Sequence, residues 1–214
     1  EQAIRDNLWK CVEHISALSE RTGKGLHLGL EPEPLGYFET SEETVAFFEK
    51  MRTEHPNDVR LNQHLGVNYD TCHLAVEYEE PQDAIGRICK AGVRISKLHL
   101  SAALKVTPSE DSRAQLKNFK EDVYLHQVVE RMPDGSLVRH RDLDAVLSTA
   151  TEAEEWRIHF HIPLHSPDTD WFASTRNHID GVFDLLKADP ALCTHLEMET
   201  YTWEVLPAEM KNRD

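Results

Sequence analysis

Apolar residues recur along the chain with two different periods, which predict helices and strands in turn. A spacing of three and four residues is typical of a helix, and Gly or Pro residues lie close to several of the segments that have it. The predicted helices are residues 3–21, a segment capped by Ser41 that runs through Met51, and residues 81–91 and 173–187. The predicted strands are residues 25–31, 64–70, 93–101, 156–162 and 194–201. Strands that alternate with helices of this length favour an α/β fold with a parallel sheet or barrel.

One segment between the third and fourth predicted strands departs from this alternation. Residues 123–131 and 137–141 flank Pro133-Asp134-Gly135, a strong turn signal, and therefore predict a β-hairpin. A helix is predicted after it at about residues 143–154. We therefore expect a hairpin and helix insertion at about residues 119–154.

Side chains alternate across a strand, and here the alternation separates an apolar face from a polar one. The polar faces carry His27, Gly29 and Glu31 on the first strand, His159, His161 and Pro163 on the fourth, and His195, Glu197 and Glu199 on the last. A sheet covered on both faces has nearly continuous apolar strands, so the polar faces must line a barrel axis or a crevice. A divalent cation there would satisfy both carboxylates and imidazoles. The alternative is a solvent-facing antiparallel sheet with ordinary polar positions.

Residues of metal-ligand type stand at the carboxyl ends of successive predicted strands, where barrel enzymes carry their catalytic groups. They are Glu31, Asp70, His99 and Glu199. The spacing Asp70-x-x-His73 lets a strand-end carboxylate and a loop imidazole reach one ion, and His161 with His165 forms a second candidate pair. A single His is more often structural than a ligand, so the metal-site hypothesis depends on their joint placement.

Composition and charge exclude several classes of protein. Of the 214 residues, 40% are hydrophobic, which excludes wholesale disorder. No apolar run approaches the roughly 20 residues of a bilayer-spanning helix, and the first residues have no signal-peptide pattern. The net charge of −15 has the wrong sign for a general nucleic-acid surface. We expect neither membrane insertion nor a duplex nucleic-acid partner.

Cysteines and histidines refine this picture. The four cysteines are far apart and form no C-x-x-C pair, which is typical of reduced thiols and predicts a cytoplasmic protein. The 13 histidines outnumber the 7 Phe and 4 Trp residues together. Imidazole is the commonest protein metal ligand, so this abundance strengthens the prediction of a metal site.

Four short motifs carry a family resemblance. They are Leu-Gly-Leu-Glu-Pro (28–32), Asn-Tyr-Asp-Thr-Cys-His (68–73), Lys-Leu-His-Leu-Ser (97–101) and Met-Glu-Thr (198–200). With them the chain resembles the xylose-isomerase-like TIM barrels, which include sugar-phosphate isomerases and epimerases and abasic-site nucleases of the endonuclease IV type. The resemblance implies a TIM (β/α)8 barrel in which Glu31, Asp70, His99 and Glu199 bind a divalent metal ion, Zn, Mn or Mg. It also implies that His73 is a further ligand, as in the nucleases, or a substrate contact, as in the epimerases.

Three further motifs resemble a narrower group of this superfamily. They are Glu-Pro-Glu-Pro (31–34), His-Phe-His-Ile-Pro-Leu-His (159–165) and Glu-Met-Glu-Thr-Tyr-Thr-Trp-Glu (197–204). They are similar to motifs of the EboE family, TIM-barrel metabolite traffic proteins of bacterial ebo gene clusters. This resemblance implies a role in metabolite traffic, with other Ebo-cluster proteins as partners.

The size of the chain is small for a complete barrel. An eight-stranded barrel commonly takes about 250 residues, whereas five barrel-type strands are predicted here, and the chain starts with Glu1 inside a predicted helix. We therefore expect residues 1–214 to be the C-terminal part of a single TIM-barrel domain, with about three βα units missing before Glu1. The hairpin and the strand at 156–162 interrupt the simple epimerase pattern.

Three functions remain open at this point. The first is a metal-dependent isomerase or epimerase of a small sugar-like or related metabolite, in which Glu31 and Glu199 transfer a proton. Glu197 would support this site, or replace Glu199 as ligand in another register. The second is a multi-metal phosphoester hydrolase with His73, His159, His161 and His165 as additional ligands. The third is a non-catalytic carrier of a hydrophobic metabolite, suggested by Trp171, Tyr201 and Trp203.

Overall fold

Two β-sheets organise the chain in a computed structural model, which describes residues 1–120, 122–207 and 211. The helices are α1 (Gln2–Thr22), α2 (Ser41–Glu54), α3 (Arg60–His64), α4 (Thr71–Val76), α5 (Pro81–Lys90), α6 (Glu110–Leu116), α7 (Asp144–Leu147) and α8 (Arg176–Ala188). The strands are β1 (Leu28–Leu30), β2 (Leu65–Asp70), β3 (Ile95–Leu100), β4 (Ala102–Val106), β5 (Val128–Arg131), β6 (Leu137–His140), β7 (Glu155–Ile162), β8 (Ala173–Ser174) and β9 (Leu196–Met198). The predicted α/β class is confirmed.

The first sheet contains four parallel strands in the order β1-β2-β3-β9. Neighbouring strands follow one another in the chain, except that the whole second sheet is inserted between β3 and β9. The apolar side chains of this sheet pack against the helices in one core, represented by Phe48, Met51, Val67, Ile88 and Leu98. The other face therefore carries the polar residues that alternate with this core.

Local sequence signals explain where the helices begin and end. Thr40 caps α2 through a reciprocal capping box with Glu43, so the cap is one residue earlier than the predicted Ser41. Pro81 opens α5, where its missing N–H costs nothing. Helix α1 ends at Gly23 with φ 68°, a left-handed conformation that favours glycine.

The second sheet is antiparallel, with the order β6-β5-β7-β4-β8. The predicted hairpin is confirmed as β5 and β6. Strand 156–162 was predicted to join a parallel sheet, and this is wrong, because β7 pairs antiparallel with β4 and β5. Only Ser101 separates β3 from β4, so the chain leaves the first sheet without the long crossover that a parallel neighbour needs.

The insertion also differs from its prediction in length and helix content. The second sheet extends from residue 102 to residue 174, beyond the expected 119–154. The helix predicted at 143–154 is shortened to the four residues of α7. The residues after it, Ser-Thr-Ala-Thr, have low helix propensity apart from the alanine. Among the described helices, none has both the length and the apolar character that crossing a bilayer requires.

Candidate metal centre

Four side chains converge at the carboxyl ends of the parallel strands. Glu31 directly follows β1, Asp70 ends β2, His99 lies near the end of β3, and Glu199 directly follows β9. One potential ligand atom from each of the four lies within 4.8 Å of the others. We call this group the carboxylate cluster. The structure therefore brings together all four residues that the sequence singled out as ligands.

His99 is the centre of the carboxylate cluster. Its Nδ1 atom lies 3.0 Å from Oε1 of Glu31, 3.5 Å from Oε2 of Glu199 and 3.6 Å from Oδ2 of Asp70. Parallel pairing places Asp70 directly opposite His99 in the register of β2 and β3. Three acidic oxygens thus surround one imidazole nitrogen, an arrangement that favours a positive charge on the ring.

Asp70 is the most rigidly held member. It is fully buried and caps α4, and its Oδ1 atom accepts hydrogen bonds from the N–H groups of Cys72 and His73 at 2.7 and 3.1 Å. The Ser101 hydroxyl donates to the same oxygen at 2.6 Å. Oδ2 has no hydrogen-bond partner among the described residues. One oxygen fixes the carboxylate, and the other is available to a cation.

The electrostatics of the carboxylate cluster reflect this concentration of negative charge. Burial lowers the pKa of His99, but Asp70, Glu31 and Glu199 outweigh that effect and raise the pKa to about 10. Burial, followed by the charge of Asp70, raises the pKa of Glu199 to about 7. Burial opposes ionisation of Asp70, yet His73, His99, His161 and Ser101 hold its pKa well below the usual range. The site thus stabilises a cation strongly.

Glu197, the alternative ligand, lies outside this group. Its side chain is 55% exposed and its Oε2 atom accepts a hydrogen bond from Nζ of Lys97 at 2.8 Å. It approaches only the far side of His99, where Oε2 lies 3.6 Å from Nε2. Lys97 lowers the pKa of Glu197. The register of β3 and β9 pairs Glu197 with His99, but among the described residues it is the Glu199 carboxylate that shares a ligand set with Glu31, Asp70 and His99.

A second group of ligand-type residues adjoins the first. His73, His159 and His161, which we call the histidine cluster, are all buried, and their ring centroids lie 4.7 to 5.4 Å apart. Three sets of potential ligand atoms overlap here: Asp70, His73 and His161; Glu33, His73 and His159; and Cys72, His159 and His161. Oε2 of Glu199 lies 3.4 Å from Nδ1 of His161, so the two clusters are in contact.

Hydrogen bonds orient the imidazoles of the histidine cluster. Nδ1 of His73 lies 2.9 Å from the carbonyl oxygen of Pro32, and Nδ1 of His159 lies 2.6 Å from Oε1 of Gln127. An oxygen of this kind only accepts, so each Nδ1 carries the proton and each Nε2 the lone pair. Burial lowers the pKa of His161 to about 4, and burial also depresses that of His159 well below its usual value. Neutral imidazoles are the form that binds a metal.

The remaining sequence candidates are placed differently. His165 is exposed and belongs to none of the ligand groups found among the described residues. Glu33 was not anticipated, although its position two residues after Glu31 in Glu-Pro-Glu-Pro was an available signal. Cys72 is completely buried, and it enters one ligand set with His159 and His161.

Two of the three aromatic residues that suggested a carrier, Trp171 and Trp203, are part of the packing of the second sheet. Trp171 packs against Phe119 and Phe172, at centroid distances of 5.7 and 4.7 Å, and Trp203 is partly buried against the same core. The side chain of Tyr201 lies outside the described part of the chain.

No protein-family model, curated protein or solved structure matches this chain. The candidate function therefore depends on the site alone.

Proposed function

We propose that this chain is a divalent-metal-dependent isomerase or epimerase that acts on a small sugar-like or related metabolite. The observation that carries the proposal is the convergence of Glu31, Asp70, His99 and Glu199 within 4.8 Å at the ends of four parallel strands. Carboxylates so close together, one of them the fully buried Asp70, repel one another unless a cation lies between them.

The donor set fits a small divalent cation. Three carboxylates and one imidazole match the preferences of Zn, Mn and Mg, which accept oxygen donors alone or with nitrogen. Asp70 supports this fit, because Oδ1 is fully engaged while Oδ2 is buried without a hydrogen-bond partner among the described residues. When bound, the cation would polarise a carbonyl or hydroxyl of the substrate.

The residues of the chain itself would move the proton. Glu31 and Glu199 end different strands at opposite edges of the sheet, and both carboxylates remain partly exposed. One can remove a proton from carbon while the other returns one, as an isomerisation or epimerisation requires. Asp70, which is fully buried, would hold its position and charge throughout.

We propose further that the parallel sheet is an arc of a TIM barrel of the xylose-isomerase-like type. Support comes from the strand order, in which the parallel strands are neighbours in chain order, and from the helix-packed core on one face. Acidic and imidazole residues at the carboxyl ends also suit a barrel. An EboE-like role in metabolite traffic, a cytoplasmic location and Ebo-cluster partners belong to the same proposal.

Metal analysis of matched variants tests the proposed site. The purified chain should bind a divalent ion, and His99→Ala and Glu199→Gln should each weaken binding by more than the roughly 10–100-fold that loss of a supporting residue costs. Glu197→Gln is the control, because it removes a neighbouring carboxylate on the same strand that lies outside the carboxylate cluster. Unchanged metal affinity in both His99→Ala and Glu199→Gln would rule out this site.

A multi-metal phosphoester hydrolase is the second candidate, and the histidine cluster is the observation that favours it. Asp70 belongs to a ligand set in both clusters and could therefore bridge two ions, as in two-metal hydrolases. The stoichiometry of bound metal separates the two functions. One ion per chain that His99→Ala removes favours the isomerase, whereas two or three ions, of which His159→Ala removes at least one, favour the hydrolase.

A further inference from the structure

Cys72 lies where the two sheets meet. It belongs to α4, which directly follows β2 of the first sheet, and it is completely buried in a small apolar cluster with Ala103 of β4 and Val129 of β5 in the second sheet. Its thiol, an imidazole nitrogen of His159 and one of His161 are potential ligand atoms that all lie within 4.8 Å of one another. The functions proposed above do not use this thiol.

The fold holds these three donors in place. His159 and His161 are two residues apart on β7, so their side chains lie on one face of a strand that is paired on both edges. Nδ1 of His159 donates to Oε1 of Gln127 at 2.6 Å, which leaves the lone pair on Nε2. The N–H of Cys72 donates to Oδ1 of Asp70 at 2.7 Å. This hydrogen bond fixes the backbone that carries the thiol.

The donor set differs in chemistry from the carboxylate cluster. It contains one sulfur, two imidazoles and no carboxylate, and thiolate ligands select soft ions such as copper(I) and zinc. Zinc almost always takes four ligands, and with one thiolate it would leave a net positive charge in a buried, partly apolar site. Copper(I) with one thiolate is neutral, which avoids the free-energy cost of burying a net charge. The donors therefore favour copper(I).

A buried metal site also needs a path by which the ion enters. Glu33, in the segment after β1, is exposed, and one of its oxygens lies within 4.8 Å of ligand atoms of His73 and His159. The ring centroid of His73 lies 4.7 Å from that of His159 and 5.4 Å from that of His161. Residues that are themselves potential ligands thus connect the surface with the three donors.

We propose that Cys72, His159 and His161 bind a soft metal ion, copper(I), between the two sheets. The ion replaces the thiol proton, which leaves to solvent, and the two imidazoles bind it as neutral ligands. The proposed isomerase needs an oxygen-preferring ion in the carboxylate cluster, and the hydrolase needs divalent ions bridged by Asp70. The copper(I) site uses neither, so it does not rest on the proposed function.

Oxygen-free titration of chelator-treated protein with copper(I), in competition with a colorimetric copper(I) chelator, tests the proposal. Serine replaces the exposed Cys11 and Cys89 in all proteins, so that surface thiols do not bind the probe. We expect one copper(I) ion per chain. Cys72→Ala should weaken its binding by more than the roughly 10–100-fold that loss of a supporting residue costs. Cys193→Ala, which removes another buried thiol outside the ligand sets of the described residues, should leave it unchanged.

X-ray absorption spectra of the copper-loaded protein identify the donor atoms directly. We expect one sulfur and two nitrogen neighbours, and Cys72→Ala should lose the sulfur. His159→Gln, on the other sheet, should also weaken binding, and it serves if Cys72→Ala fails to fold. His99→Ala should bind copper(I) like the parent protein, because His99 belongs to the carboxylate cluster.

Three results would overturn the copper(I) site. They are no binding of copper(I) in competition with the chelator, unchanged affinity in both Cys72→Ala and His159→Gln, and a copper spectrum without a sulfur neighbour. Divalent-metal binding by His99→Ala and Glu199→Gln is measured separately, so failure of this site and failure of the proposed function are distinguishable.

Discussion

The carboxylate cluster and the histidine cluster are in contact, yet they favour opposite protonation states of a histidine ring. In the carboxylate cluster, three acids raise the pKa of His99 to about 10. In the histidine cluster, burial lowers the pKa of His161 to about 4. Nδ1 of both rings lies within 3.5 Å of Oε2 of the same residue, Glu199. Whether each imidazole is protonated therefore depends on the number of acidic groups around it and on its access to water.

This difference also separates the kinds of metal that each cluster suits. A group rich in carboxylates matches oxygen-preferring ions, whereas neutral imidazoles beside a cysteine match zinc and softer ions. Asp70 is the residue that both clusters share, because it belongs to a ligand set in each. Substitutions at and around Asp70 are the most direct way to test whether the two clusters are independent.

The largest effect is expected for Asp70→Ala. This change removes the cap of α4 and a buried negative charge that faces His99, and the loss of one partner of a buried pair costs about 3–5 kcal/mol. Urea unfolding of chelator-treated protein measures the change in the free energy of unfolding.

The matched control for this prediction is Thr40→Ala. Thr40 caps α2 through a similar hydrogen bond at the surface, so its loss should cost only about 1 kcal/mol. If the two variants were destabilised equally, Asp70 would be no more than an ordinary helix cap and the two clusters would share no electrostatic link.

The pH dependence of stability should distinguish the two histidines, again in chelator-treated protein. His161 has a folded pKa below its ordinary 6.5, so its contribution to stability, on the order of 3 kcal/mol, is lost as pH falls from 6.5 towards 4. Glu199, whose pKa is raised to about 7, contributes with the opposite sign, and its contribution is lost as pH rises from 4.5 through 7. His99 has a folded pKa above 6.5, so its contribution is complete below pH 6.5 and is lost as pH rises through 10. The measurement is the slope of the free energy of unfolding against pH.

Glutamine substitutions assign each slope to its residue. His161→Gln should flatten the curve between pH 4 and 6.5 and leave the alkaline side unchanged, while His99→Gln should do the reverse. Ring-nitrogen chemical shifts in NMR provide an independent readout of each protonation state. Parallel titration of the two rings would show that the clusters do not differ as described.

A smaller effect is expected for Ser101→Ala. The hydroxyl of Ser101 donates to Asp70 and accepts from the N–H of Cys72, and the loss of a hydrogen bond to a charged group costs about 1.5 kcal/mol. Metal affinity should also fall roughly tenfold, because Ser101 orients a candidate ligand. Ser136→Ala, at an exposed turn, is the control for both measurements. Equal metal affinity in the two variants would mean that Ser101 does not orient Asp70.

Most of the first sheet could be anticipated from local pattern. The predicted strands at 25–31, 64–70, 93–101 and 194–201 all contain the observed β1, β2, β3 and β9, since an apolar face that alternates with polar residues is a signal carried by neighbours in sequence. The pairing of β7 could not be anticipated, because alternation is the same for parallel and antiparallel strands. Strand β4 was also missed, because the third predicted strand ended at residue 101 and no strand was predicted over residues 102–106.

For the candidate site, local sequence is enough to put Glu31, Asp70, His99 and Glu199 at the ends of their strands, because the predicted strand boundaries set the end and the two-residue repeat of an extended chain sets the face. Distances between side chains on different strands do not follow from this local pattern. Only the folded chain decides that the ligand set around His99 contains Glu199 and not Glu197, that His165 stays at the surface, and that β7 brings His159 and His161 against His73. These contacts join residues up to about 170 positions apart. They are therefore set by strand register and by packing between distant segments, and a local sequence pattern encodes neither the register nor the packing.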